Sequence, residues 1–214
     1  MSSPALLITL FLLSSTCVAP AKYVCPAYND IRQPSVDPSI FSIQDVGGVW
    51  YLQATTEPTT KFCLCNVMNY TIGSTKYRYT DTCFQDISAR KTWNNQTVTI
   101  GGHLSTNAST PGILHEGFVI PKLNISIAEK PNMLFNVTRD STTGKLTAMH
   151  FYACLGQLVP FTPPIFSYLY YTRQARVPMT QIQQAVARDV ALYDFDVENI
   201  VYTNLTEWET CGVV

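Results

Sequence analysis

The stretch Asp45-Val46-Gly47-Gly48-Val49-Trp50-Tyr51 marks the point where the character of the sequence changes. From Gly48 onward, short runs rich in Val, Ile, Tyr, Phe and Thr alternate with clusters of Gly, Pro, Asn, Asp and Ser. β-Branched and aromatic residues favour strands, and the residues between them favour turns. This even spacing predicts a meander of antiparallel strands that begins at the quoted stretch.

Eight such runs follow one another, which is the number at which an up-and-down barrel closes around one small ligand. We therefore predict an all-β fold, an eight-stranded antiparallel up-and-down barrel with one C-terminal α-helix packed outside. Residues 156–164, which are rich in Pro, are expected to form a loop over the rim. The predicted strands are 49–55, 65–72, 76–84, 97–103, 113–119, 133–139, 146–154 and 166–173.

One stretch near the C-terminus has helical periodicity. Pro178 suits the first turn of a helix, and a short strand is predicted beyond that helix at 199–203. We expect the apolar stripe of the helix to pack on the outside of the barrel. This stripe consists of Ile182, Ala185, Val186 and Val190.

The N-terminus has the features of a secretory signal. An apolar run at residues 6–13 is followed by small residues, and Ala19-Pro20-Ala21 fits a small-x-small cleavage site. The run is too short to span a bilayer, and no later segment is long and apolar enough to do so. We predict a signal peptide at residues 1–21, a single domain at residues 22–214, and secretion into the extracellular space.

The chain contains seven cysteines, of which Cys17 leaves with the signal peptide. The six that remain predict three disulfides in an oxidising compartment, although six cysteines allow fifteen pairings. Sequons of the Asn-x-Ser/Thr type predict a glycosylated surface. They lie at Asn69, Asn95, Asn107, Asn124, Asn136 and Asn204.

Charge and composition argue against several functional classes. The formal net charge is -1 at pH 7, and Lys and Arg are scattered, so no nucleic-acid surface is expected. The histidines His103, His115 and His150 have no metal-ligand spacing, so neither a metal nor a cofactor is expected. His115 and Glu116 are predicted to be an exposed pair on a strand, and His150 a surface residue.

Two motifs resemble those of the lipocalin family. The family begins its first strand with Gly-x-Trp, matched here by Gly48 and Trp50. It ends its eighth strand with an Arg before a helix that begins with Pro, matched by Arg173 and Pro178. The resemblance implies that Arg173 lies against Trp50 in a cation–π contact that closes the barrel floor. The family's middle motif, Thr-Asp-x-Tyr, is missing, and residues 138–140 are only loosely similar to it.

The cysteine frame resembles that of the apolipoprotein D-like lipocalins. The similar elements are Cys25-Pro26 before the first motif, Cys65, Cys154 at the end of the seventh strand, and Cys211. The resemblance implies two disulfides and leaves the two remaining cysteines for each other. The expected pairs are Cys25–Cys154, Cys65–Cys211 and Cys63–Cys83.

Successive side chains of a strand point to opposite sides of the sheet, so the position of one residue predicts which of its neighbours face the interior of the barrel. Glycosylated Asn69 and Asn136, and Cys154 tied to the N-terminal arm, would face outward, whereas the family places Arg173 inward. The residues then expected inside form an apolar and aromatic ligand site without acidic groups. They are Met68, Tyr70, Phe135, Val137, Met149, Phe151, Leu169 and Tyr171.

These observations predict a carrier, not an enzyme, that binds a small hydrophobic molecule such as a lipid, sterol, retinoid or carotenoid. One alternative is a lipocalin-type enzyme. It would be an isomerase with a reactive Cys63 or Cys65, or an enzyme like the xanthophyll de-epoxidases. The C-terminal stretch is weakly similar to the end of the lipocalin domain of those de-epoxidases. Such an enzyme would need acidic residues in the cavity. Another alternative is a ligand-free module that contacts a receptor or a membrane through rim loops, with residues 156–164 as the natural place.

Overall fold

The barrel strands are β1 (Gly48–Thr55), β2 (Cys65–Ile72), β3 (Lys76–Asp86), β4 (Trp93–Leu104), β5 (Ile113–Ile120), β6 (Ile125–Arg139), β7 (Leu146–Cys154) and β8 (Phe166–Thr172). In this computed structural model they pair antiparallel in chain order, and β1 pairs with both β2 and β8, which closes the sheet. The structure describes residues 26–56, 63, 65–86, 93–120, 125–154, 166–193, 200–203 and 205–212. The predicted barrel is confirmed.

Strand β6 is longer than the sequence predicted. It begins at Ile125 instead of residue 133, and it runs through Pro131. Proline lacks a backbone N–H and is tolerated where one edge of a strand is unpaired or irregular. The pairing of β6 with β7 starts only at Met133, and the register with β5 shifts nearby, between Glu116 and Phe118. Pro131 therefore lies where its missing donor costs no bond to β7.

The segment before β1 closes one end of the barrel. It contains a short helix α1 (Tyr28–Ile31) and two 3-10 turns, Pro34–Val36 and Ile43–Val46. Val36, Phe41 and Val46 are buried in the cluster that fills the closed end of the barrel. The indole of Trp50 also donates a hydrogen bond of 2.7 Å to the carbonyl oxygen of Val46. The end of the barrel at which β1 begins is thus filled.

Helix α2 (Met179–Tyr193) packs across the outside of the barrel, as predicted. Its apolar stripe contributes Ile182, Ala185 and Val186 to a second cluster, on the outer face of the sheet. The strands supply small and aromatic residues to this cluster, among them Ala54 and Ala148. The core therefore has two layers that are separated by the wall of the barrel.

A polar network is buried between α2 and the sheet. His150 Nδ1 lies 2.5 Å from a carboxylate oxygen of Asp189, and the hydroxyl of Tyr168 donates to the same oxygen at 2.7 Å. The prediction that His150 is a surface residue is wrong, because α2 covers the outer face and leaves only 2% of His150 exposed. Burial, and then the Asp189 carboxylate, raise the pKa of Tyr168 far above its ordinary value.

The C-terminal segment returns to the barrel. The short strand β9 (Val201–Tyr202) pairs with β1 near the predicted position, and helix α3 (Leu205–Thr210) follows it. Trp208 on α3 is fully buried and packs edge-on against Tyr51, with ring centroids 5.4 Å apart. Its indole N–H donates to the side chain of Gln53 at 3.4 Å. This helix was not among the predicted elements.

Two disulfides are described, and both have one cysteine at or just before the start of β2. Cys63 is joined to Cys83, and Cys65 to Cys211, which are two of the three expected pairs. Cys154 is also disulfide-bonded. Its expected partner, Cys25, lies outside the described residues.

Replacement of Asp189 by Ala is expected to lower the free energy of unfolding by roughly 3 kcal/mol, because it leaves the imidazole of His150 and the hydroxyl of Tyr168 buried without their shared acceptor. Urea denaturation of the oxidised protein would measure the change. Gln183→Ala is the matched control, since Gln183 is exposed on the same helix and its loss should change stability by less than about 0.5 kcal/mol. Equal effects of the two changes would contradict a role for the network.

Candidate functional site

The closed floor is built around Arg173 and Trp50. The guanidinium carbon of Arg173 lies 3.8 Å from the ring centroid of Trp50, which is fully buried. Arg173 also donates to the carbonyl oxygens of Asp45, Gly47 and Val49 at 2.7–3.0 Å. Partial burial lowers the pKa of Arg173, but a guanidinium stays charged at neutral pH. This cation therefore ties the end of β8 to the segment before β1.

Glycine is required at position 48. Its φ is +97°, a conformation that L side chains rarely adopt. A Cβ placed there would lie 3.0 Å from a guanidinium nitrogen of Arg173. The first residue of the Gly-x-Trp motif thus permits a positive φ at the start of β1 and leaves room for the arginine.

The inner wall above the floor is apolar and aromatic. Seven of the eight residues predicted to bind a ligand lie in its buried cluster, each with 5% or less of its surface exposed. Phe151 and Tyr171 meet edge to face, with ring centroids 6.0 Å apart. The seven are Met68, Tyr70, Val137, Met149, Phe151, Leu169 and Tyr171.

The placement of Phe135 inside the barrel is wrong. The register between β6 and β7 shifts between Leu134 and Asn136, and this bulge interrupts the alternation. Leu134 takes the inner position, whereas Phe135 packs in the outer cluster against the rings of His150 and Tyr193. Residues beyond the bulge return to the expected parity, so Val137 still faces inward.

Sequence reasoning missed two tyrosines of the wall, Tyr77 and Tyr79 on β3. Both are buried in the inner cluster, and Tyr79 stacks on Tyr70 with ring centroids 4.5 Å apart. Cys83 lies on this strand, but its predicted bond to Cys63, a residue outside the predicted strands, did not show which face Cys83 occupies. The alternation of these tyrosines with the exposed Arg78 and Thr80 was the available signal.

The sequence predicted an exposed pair of His115 and Glu116 on a strand, and for Glu116 this prediction is wrong. Glu116 shares a face of β5 with Leu114, which is fully buried in the inner cluster, and its carboxyl accepts a hydrogen bond of 3.4 Å from Tyr79. Burial, and then the charge of Glu116, raise the pKa of Tyr79 well above its ordinary value. An acidic side chain therefore does lie on the inner face, where none was expected.

Apolar residues of the wall reach solvent at the end opposite the floor. Val98 on β4 and Phe118 on β5 occupy inner-facing positions. Ile100 on β4 packs on the inner cluster, Val98 lies two residues before it on the same face, and Phe118 is in register with it. Yet Val98 is 43% exposed and Phe118 is 62% exposed. In the part of the wall that the structure describes, this end is accessible to solvent.

The remaining predicted sites are described in part. Asn69 and Asn107 are exposed, and Asn136 is half-buried, with its side-chain oxygen accepting from Ser35 at 2.8 Å. The side chains of Asn95, Asn124 and Asn204 lie outside the description, as does the predicted rim loop at 156–164.

Within the described ranges, no three His, Cys, Asp or Glu side chains cluster in a way that could hold a metal. Nor does any described helix have the length and hydropathy needed to cross a membrane.

Replacement of Arg173 by Met should lower the free energy of unfolding by roughly 2–3 kcal/mol, because it removes the cation–π contact and leaves three carbonyl oxygens without a charged donor. Guanidinium chloride denaturation would measure the loss. Arg176→Met is the control, because Arg176 is 58% exposed three residues away and pairs with the similarly exposed Glu209. A loss no larger than that of the control would show that the floor contact does not hold the barrel closed.

No protein-family model matches the sequence, and no curated protein matches it. Solved structures do match. H1 crustacyanin from the lobster Homarus americanus superposes with a TM-score of 0.55 at 14% identity, over 90% of this chain and 94% of that one. Insecticyanin from the tobacco hornworm Manduca sexta gives 0.53 at 10% identity, over 80% and 84%. Lobster apocrustacyanin A1 gives 0.51 at 13% identity, over 76% and 78%.

These neighbours are lipocalins, and at such low identities the likeness concerns the fold. The closed eight-stranded barrel, the outer helix after the last barrel strand, and the arginine stacked on the tryptophan of the floor agree with it. The chain has the lipocalin fold.

Proposed function

We propose that this protein is a secreted carrier that binds a small hydrophobic molecule inside its barrel. The observation that carries the proposal is the exposure of Val98 and Phe118 on the inner wall, at the end away from the floor. In a barrel filled throughout by its own side chains, inner-facing apolar residues would be covered. Here the wall continues from these residues down to the buried Met68, Phe151 and Tyr171.

The energetics suit a reversible carrier. Burial of about 300 Å² of apolar ligand surface contributes about 7 kcal/mol at roughly 25 cal/mol per Å², before the cost of association. Micromolar or tighter binding is therefore physically reasonable. A barrel of eight strands also has the size at which one small ligand fits, as in lipocalins.

Secretion and glycosylation are part of the proposal. The sequence pattern that predicts a signal peptide, the disulfides and the exposed sequon residues Asn69 and Asn107 support them. The pair Cys65–Cys211 also supports a relationship to the apolipoprotein D-like lipocalins, whose frame implies this bond. Contact with a receptor or a membrane through the rim loop at 156–164 stays a prediction.

The enzymatic alternatives differ in their support. An isomerase with a reactive Cys63 or Cys65 has none, because both sulfurs are in disulfides. An enzyme resembling the xanthophyll de-epoxidases is the second candidate, since Glu116 brings a carboxyl to the inner face. A carrier returns its ligand unchanged, so incubation with an epoxy-carotenoid and analysis of the extracted pigment separates the two functions.

The direct test is native mass spectrometry, with organic extraction, of the protein secreted from a eukaryotic host with its disulfides intact. We expect a lipid or pigment at near-stoichiometric load. A protein without bound ligand, whose tryptophan fluorescence is not quenched by retinoids, sterols, fatty acids or long-chain amines, would refute the carrier function.

Replacement of Phe118 by Asp is expected to weaken the binding of an apolar ligand about tenfold, because a charge then lies on the path into the barrel. Titration of tryptophan fluorescence would measure the affinity, and thermal denaturation should show little change. Leu192→Asp is the matched control, since Leu192 is also 62% exposed but lies on the outer helix. Unchanged affinity in the Phe118 variant would show that the ligand does not pass this residue.

A further inference from the structure

The inner wall carries a group of polar side chains on neighbouring strands, Tyr79 on β3, Glu116 on β5 and Asn132 on β6, which we name the acceptor site. The hydroxyl of Tyr79 donates to the carboxyl of Glu116 across β4. The β4 residue in register with Glu116 is Gly102, which has no side chain to separate them. The two polar groups can therefore meet inside the barrel.

Asn132 faces the same interior. It is in register with Leu114, and it lies two residues before Leu134, both of which are in the inner cluster. Only 6% of Asn132 is exposed, and its side-chain oxygen is fully shielded and accepts no hydrogen bond from the described part of the chain. Buried acceptors without a donor are rare in native proteins and call for an explanation.

A second buried amide repeats the pattern. Asn66 alternates with the inner-facing Met68 on β2, is 6% exposed, and its side-chain oxygen also lacks a donor among the described residues. Since Tyr79 stays protonated and its one hydroxyl proton points to Glu116, that hydroxyl has no proton left for another acceptor. The polar positions of the wall thus include two buried amide oxygens that accept no hydrogen bond from the described residues.

The charges on the inner face point the same way. Besides Glu116, Asp81 faces inward, in register with Met68 and Val98. The described cation of this part of the wall is Lys130, which is in register with Glu116 and exposed. Among the described residues, the charged groups at inward positions of this part of the wall are thus two carboxyls and one ammonium group that is in contact with solvent.

We propose that the acceptor site holds the head group of the ligand and selects one that donates hydrogen bonds, an alkylammonium before a hydroxyl, and rejects a carboxylate. The inference rests on the proposed carrier function and narrows its ligand class. An ammonium group brings three donors and a charge that strengthens each bond to a carboxylate. A carboxylate brings only acceptors, so it would leave Asn132 without a donor and would face the charge of Glu116.

The test uses three ligands with one ten-carbon chain, decylamine, decanol and decanoic acid, titrated into the disulfide-intact glycoprotein at pH 7 by isothermal titration calorimetry. We expect the amine to bind about tenfold tighter than the acid, with the alcohol between them. Equal affinities, or tightest binding of the acid, would overturn the inference and leave the carrier function standing. Failure of all three to bind would instead count against the carrier function.

Two variants then locate the preference. Glu116→Gln should reduce the ratio of amine to acid affinity about fivefold or more, while decanol binding stays within about twofold. Asn132→Leu, which removes the unpaired oxygen and keeps the size of the side chain, should weaken the amine and the alcohol but not the acid. Glu209→Gln is the control, because it removes one charge from an exposed position on α3. If the control lowers the ratio as much as Glu116→Gln does, or if neither site variant changes it, the acceptor site is not where the head group binds.

Discussion

The closure of the sheet between β1 and β8 is the constraint on which the rest of the structure depends. Because β1 pairs on both sides, the strands form a closed ring in which each residue faces either the enclosed interior or the outer surface. The closing seam is reinforced at its end by Arg173, which joins the last barrel strand to the segment before the first. The floor, the inner wall and the outer layer all follow from this division.

Part of the outer face of the barrel forms a second hydrophobic core, which is the cluster under helix α2. Helix α2 and the C-terminal segment cover strands that would otherwise expose Ala54, Phe135 and Tyr168 to water. Because this layer covers part of the sheet, an aromatic residue or a histidine whose side chain points out of the barrel can still be buried. It also separates two tasks, since the outer cluster is closed by the protein itself, whereas the inner wall is open to solvent at one end.

Much of the fold could be predicted from the sequence, because strand composition and helical periodicity are local properties. Strands β2 and β7 have the predicted bounds, and the stripe of α2 packs as expected. The errors concern features that alternation cannot show. A bulge moved Phe135 to the outer face, a distant helix buried His150, and Glu116 turned inward on a strand without a parity marker. Each depends on a partner from another part of the chain.

The positions of the two described disulfides set an order of events during synthesis. Cys63 and Cys83 are 20 residues apart, so in the proposed secretion they would reach an oxidising compartment almost together, whereas the partner of Cys65 is Cys211, 146 residues later. Throughout that interval the thiol of Cys65 lies two residues from a cysteine that has the same early partner available. In the proposed secreted form, Cys65 must therefore either stay reduced or be released from a wrong disulfide by exchange, so native pairing is completed only after the C-terminal segment has been made.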